Sequence, residues 1–151
     1  MDTIVIQSSM CDVFKVEDFV SNICDEKNIA NYFATISVPV IHAVKNAIQH
    51  GNNNDANKVV SVESGNCPGG VYFTIQDEGV GFDFSQYGDL PFEGNKGEGI
   101  FLIKTLSDKM EYSNGGNTLR LEFNINGIEA SDALFRKSVV ENFFLPKEVE
   151  V

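Results

Sequence analysis

The sequence predicts an α+β fold, a two-layer α/β sandwich with helices on one face of a mostly antiparallel mixed sheet. Three observations predict it. Two stretches with apolar residues at helical spacing stand together near the start of the chain. Two strand-like runs follow, joined by a turn too short for a parallel crossover. A further helix and strand close the pattern, giving the order β-α-α-β-β-loop-α-β.

Taken in order, Ile4-Val5-Ile6 is a short β-like run. From Val13 to Lys27 the apolar positions Phe14, Val16, Phe19, Val20 and Ile23 fit a helix. A second helix is predicted from Ile29 to His50, with Pro39 either kinking it or marking a later start. The segment "HGNNNDAN" then supplies turn chemistry, with Gly51 as a C-cap. Lys58 to Glu63 reads as a strand, "SGNCPGG" as a turn, and Val71 to Asp77 as the pairing strand. Gly79 to Gly99 is glycine-rich, and so long a loop in a compact domain is usually functional. Ile100 to Lys109 is helical, and Thr118 to Ile125 alternates as a strand through Leu119, Leu121 and Phe123. In the tail, Phe135, Val139 and Phe143 fall at helical spacing. The chain therefore divides into a domain over 1–127 and a helical extension over 128–151, packed on the domain or used for partner contact.

A hydrophobic content of 42% with twelve Phe is enough to build a core in one domain of 151 residues. The net charge of −11 argues against nucleic acid, whose phosphates require clustered Lys and Arg. It leaves room for a small phosphate ligand, which glycine-rich backbone and a magnesium ion can hold. No apolar run is long enough to span a bilayer, and the N-terminus lacks the basic flank of a signal peptide. Cys11, Cys24 and Cys67 are widely spaced and odd in number, which fits reduced thiols in a cytoplasmic protein.

Four segments carry chemistry. "VIHAVKNAIQHGN" sets His42, Asn46 and His50 at steps of four on a helix, hence on one face. The two histidines lie two turns apart, about 12 Å by helix rise, too far for one zinc ion. "DEGVGFD", Asp77 to Asp83, places a carboxylate before two glycines at a strand end, where backbone can approach a ligand. By itself it is also an ordinary turn. "GEGIFLIKTLSD" opens a helix behind Gly97 and Gly99, exposing the free N–H groups that form an anion site. "GGNTLRLEF" starts a strand at Thr118, whose hydroxyl either faces a ligand or packs.

The order of these four segments is more specific than any one of them. It resembles the Bergerat-fold ATP-binding family shared by gyrase, heat-shock chaperones, histidine kinases and mismatch-repair ATPases, over roughly residues 29–125. Within that family a short chain of this kind is similar to the bacterial anti-sigma-factor serine kinases. The resemblance implies ATP and Mg2+ as cofactors, with Asn46 a magnesium ligand. It implies that Asp77 accepts from the adenine amino group and that Gly79 and Gly81 border the base and ribose. Gly97 and Gly99 would meet the phosphates, Thr118 would lie beside the adenine, and the loop between Phe82 and Lys96 would be the lid. The implied partners are a sigma factor and an anti-anti-sigma protein of the STAS type, with a homodimer left open.

One position departs from the pattern. The family carries a glutamate as general base four residues before the magnesium asparagine, and here that position is His42. A neutral imidazole can take a proton near neutral pH but brings no negative charge beside a metal. Three outcomes stay open: weak or absent transfer, His42 as the working base, or another base such as Glu98. Glu98 also stands between the two phosphate-site glycines, flanked by Lys96, with Lys104 further along the following helix. The functional expectation is an ATP-binding anti-sigma-type regulator, and where transfer survives a serine/threonine kinase acting on its anti-anti-sigma partner. The alternatives are a non-catalytic, nucleotide-responsive interaction module and a detached histidine-kinase ATPase domain.

Overall fold

The computed structural model describes residues 1–80, 102–125 and 130–144. Five strands, β1 (Asp2–Gln7), β2 (Val59–Cys67), β3 (Gly70–Gln76), β4 (Lys109–Ser113) and β5 (Thr118–Asn124), form one sheet. Their spatial order is β1-β2-β3-β5-β4, and every neighbouring pair is antiparallel. Four helices accompany them: α1 (Val13–Glu26), α2 (Phe33–Asn46), α3 (residues 102–106) and α4 (Ala130–Phe144). The α+β class expected from the pattern is the class observed.

The period of two decides which side chains face the helices. Ile4, Val62, Ile75, Leu119 and Tyr112 stand in register across the five strands and pack into the core. The alternate row, Thr3, Glu63, Thr74, Arg120 and Glu111, lies on the opposite face. There Arg120 stacks over the Tyr72 ring at 3.9 Å, and the Tyr72 hydroxyl donates to Glu63 at 3.0 Å. α1 buries Val13, Val16, Val20, Ile23 and Cys24 at steps of three, four and one, a single helical stripe. α2 buries both sides of its length, which suits a helix lodged between α1 and the sheet. Phe73 and Phe123 meet edge-to-face at 6.2 Å in the middle of this layer.

Several elements differ from expectation for local reasons. Pro39 does not start α2; it sits buried within the helix, where it cannot donate to the carbonyl four residues earlier. A short 3-10 turn, Ala30–Tyr32, precedes the helix instead. β2 runs on through Ser64, Gly65, Asn66 and Cys67, so the connection to β3 is only Pro68-Gly69. The helix expected as far as Lys109 ends earlier. Ser107 turns both its N–H and its hydroxyl back onto Ile103, at 3.1 and 2.6 Å, and Asp108 then donates to the Glu122 carbonyl at 2.8 Å. That handover from helix to sheet begins β4, a strand absent from the expected order.

α4 packs through Val139 and Val140 against Ala34, Val38 and Leu106. Phe135, expected on the packing stripe, is 58% exposed. Arg136 takes the seat instead, gripping Asp108 with both guanidinium branches at 2.8 and 3.1 Å.

Candidate functional site

α2 changes geometry at its end. Ala47–Gly51 forms a π-turn, closed by the Asn52 N–H reaching the Ala47 carbonyl at 2.8 Å, a span of five residues. Such widenings occur often at functional sites. His42 and Asn46 share the α-helical register and are half-buried, whereas His50 rides on the wider turn and is exposed. The row of three polar residues thus ends at Asn46. Burial, and secondarily the charge of Lys45, push the His42 pKa below its ordinary value of 6.5, so the imidazole is neutral at neutral pH.

Gly51, the last residue of the turn, abuts the end of β3. Asp77 is only 8% exposed there. A Cβ on Gly51 would stand 2.2 Å from Asp77 Oδ2, and one on Gly79 would stand 2.0 Å from the Gly51 carbonyl oxygen. The two glycines are therefore required by space, one to admit the carboxylate and the other to let the two backbones touch. The Gly79 N–H donates to Asp77 Oδ1 at 2.7 Å, closing a tight turn. Burial pushes the Asp77 carboxyl above its ordinary 3.8, while the Gly79 N–H and Lys58 pull it back in part. One hydrogen bond leaves a carboxylate able to accept more, and ionisation makes it a pure acceptor and the stronger one.

The start of β5 completes this corner. Asp77 N–H donates to the Asn117 carbonyl at 3.0 Å, and Asn117 Nδ2 donates to the Gly79 carbonyl at 3.3 Å. Thr118 lies opposite Gln76 across β3 and β5. Its hydroxyl donates to Asn117 Oδ1 at 2.9 Å and accepts from Asn114 Nδ2 at 3.2 Å. Asp77, Gly79 and Thr118 are thus joined through Asn117, and the π-turn that follows α2 reaches the same corner at Gly51. Gly81, Gly97 and Gly99, together with Glu98 and the expected lid, lie outside the described residues.

Two contributors escape a motif reading. Asn117 links the strand ends although "GGNT" draws attention to Thr118 alone. Asn52 is fully buried, although "HGNNNDAN" has the composition of a solvated turn. The signal that distinguishes these asparagines is partner geometry, which a linear sequence does not display.

A buried carboxylate with acceptor capacity to spare suits a ligand that offers it a donor, as a purine amino group does. The family model described as the histidine kinase-like ATPase domain matches residues 14–123 of this chain. The chain belongs to that family. The match runs from α1 to β5 and includes all the site residues named above, as the four motifs imply. The family's ATPase domain implies ATP binding.

Among individual proteins, the chain is similar to an anti-sigma F factor of Clostridium perfringens (strain 13 / Type A), 32% identical over 82 residues. That match covers 50% of this chain and 59% of the relative. An anti-sigma F factor of Geobacillus stearothermophilus is 50% identical over 46 residues, 30% of this chain and 32% of its own length. One from Geobacillus kaustophilus (strain HTA426) matches to the same extent. The chain thus spans from about a third to about three-fifths of the length of these relatives. No helix among the described residues is long and apolar enough to cross a membrane.

Proposed function

We propose that this chain is a cytoplasmic regulator of the anti-sigma type that binds ATP with magnesium and whose phosphotransfer is weak or lost. One observation carries the nucleotide part. The Asp77 carboxylate is 8% exposed, packs directly on Gly51 and accepts the Gly79 N–H on Oδ1, with lone pairs left for a further donor. An adenine amino group donating to that carboxylate satisfies a buried acceptor that otherwise pays a desolvation penalty. Thr118, fixed by Asn114 and Asn117, borders the base. Asn46 would offer an amide oxygen to magnesium, with phosphate and water oxygens completing its ligands. Bound magnesium supplies charge neutralisation at the phosphates. The partner part rests on the names of the relatives, each an anti-sigma F factor. A sigma factor and an anti-anti-sigma protein of the STAS type are the partners that follow.

His42 is the reason to separate binding from transfer. Its imidazole is held neutral by burial and by Lys45, so the helix face brings no negative charge toward the metal and nucleophile. A second reading keeps the chain as a serine/threonine kinase with His42 as the base, since a neutral imidazole can accept a proton.

Two measurements test the proposal. Saturating ATP at about 100 times its dissociation constant stabilises a binding protein by about 2.7 kcal/mol. We expect a magnesium-dependent rise of that order in thermal unfolding, and no rise would overturn the nucleotide reading. With labelled ATP and an anti-anti-sigma partner, the native chain is expected to transfer little and His42→Glu to gain transfer. Substantial transfer by the native chain, no slower than by His42→Glu, would instead support the kinase reading.

A further inference from the structure

Asn52 is 0% exposed and stands just beyond the wide turn that ends α2. A buried carboxamide carries two donors and an acceptor, and each one left unmade costs about 1–3 kcal/mol. All three are made. Nδ2 donates to the Ser8 hydroxyl at 2.7 Å and to the Val59 carbonyl at 3.0 Å. Oδ1 accepts the Glu78 N–H at 2.8 Å. The network then closes on itself: Ser8 Oγ donates to the Lys58 carbonyl at 3.0 Å, and the Val59 N–H donates to the Glu78 carboxylate at 2.6 Å. Residues from the end of β1, the start of β2 and the segment after β3 therefore meet on one side chain.

The position of Asn52 matters because of what Glu78 is. It lies between Asp77 and Gly79, is itself exposed, and follows the last residue of β3 by two positions. The sheet ladder no longer holds it there. Its backbone is held from within by Asn52 and its side chain by Val59, while Asp77 and Gly79 hold each other. A fully satisfied buried network of this kind fixes one backbone geometry, and loses it when a member is removed.

We propose that Asn52 is the positioning residue of the Asp77–Glu78–Gly79 turn, and that Ser8, at the end of β1, acts on that turn through it. The consequence for ligand selectivity rests on the nucleotide reading given above; the consequence for the turn itself does not. Asn52 touches no ligand in this scheme. It sets where the Asp77 carboxylate stands, so its loss weakens discrimination by the base more than it weakens the hold on phosphate.

The test compares Asn52→Ser and Ser8→Ala with the native chain by two readouts. The first is amide hydrogen exchange at Glu78 and Gly79, measured against Phe73 and Leu121 in the sheet. In Asn52→Ser, exchange at Glu78 is expected to accelerate by about tenfold more than in the sheet, the scale of one lost hydrogen bond. Ser8→Ala, which leaves the Glu78 bond itself in place, is expected to move Glu78 in the same direction by less. Uniform acceleration across all four amides would overturn the proposal, because it would mean only a general loss of stability. If Asn52→Ser does not fold, unchanged Glu78 exchange in Ser8→Ala overturns it equally.

The second readout is the ratio of affinities for ATP and inosine triphosphate, which has an oxygen where adenine has its amino group. Asn52→Ser is expected to lower ATP affinity by about tenfold and inosine triphosphate affinity hardly at all. Equal losses for both would contradict positioning. A native chain that binds neither, or does not distinguish them, would remove the adenine reading while the exchange result still decides the role of Asn52.

Discussion

The corner around Asp77 and the seat of α4 are built on different principles. At the corner, backbone touches backbone through Gly51 and Gly79, and Asn52 and Asn117 satisfy polar groups from several chain segments. Each constraint limits the others, so little can move alone. The α4 seat is a small cluster of Val38, Leu106 and Val140 with the Arg136–Asp108 ion pair beside it. Next to it lies a cavity of about 310 Å³, lined in part by Tyr32, Thr35, Phe123, Arg136 and Val140. Leu134 and Phe135 on the same helix are 69% and 58% exposed. The contrast teaches that a geometry that must be kept to fractions of an ångström is over-determined, while a helix that only has to dock is not.

Substitutions that put a Cβ into the corner give the largest expected effect. Gly79→Ala drives a methyl to 2.0 Å from the Gly51 carbonyl oxygen, and neither backbone can yield cheaply. We expect a loss of about 1–3 kcal/mol in urea unfolding and loss of ATP binding in the same variant. Val140→Ala in the α4 seat removes two buried methyl groups, for about 1–2 kcal/mol, with ATP affinity unchanged by calorimetry. Cutting the ion pair is milder. Arg136→Met leaves Asp108 with its Asn124 N–H at 2.6 Å, so about 1 kcal/mol or less is expected in the same unfolding assay.

The smallest and most diagnostic effects are in pH. Burial raises the Asp77 carboxyl above its ordinary 3.8, so the folded chain binds a proton more tightly than the unfolded one. Stability from this group therefore falls as pH rises from 3.8 through the raised value, and ATP affinity rises over the same window as the acceptor ionises. Asp77→Asn should remove both trends. His42 has the opposite sign. Its pKa is lowered from 6.5, so its contribution is present above 6.5 and is lost as pH falls through the lowered value. His42→Gln should flatten that acid-side loss in thermal unfolding scans.

Much of the fold was legible because it rests on repetition. Val16, Val20 and Ile23 repeat at helical spacing, and Leu119, Leu121 and Phe123 alternate, so α1 and β5 declare themselves. β4 does not. Lys109, Met110, Glu111, Tyr112 and Ser113 form too short a run, and only pairing with β5 makes it a strand. The polar stretch after His50 read as a turn, yet Asn52 within it is buried by partners up to 44 residues away in sequence. Phe135 matched the expected packing stripe, but the local helix period does not fix which face meets α2 and α3. In the candidate site, Asp77, Gly79 and Thr118 stood out as motif residues, and the structure links them through Asn117. What sequence could not express was the π-turn, which takes His50 out of the row with His42 and Asn46.

Calorimetric titration with ATP and magnesium, on the native chain and on Asp77→Asn, tests the central claim most directly. If the buried carboxylate reads the adenine amino group, the native chain binds and Asp77→Asn loses about tenfold or more in affinity while remaining folded. Equal binding by the two would contradict the assignment of the site.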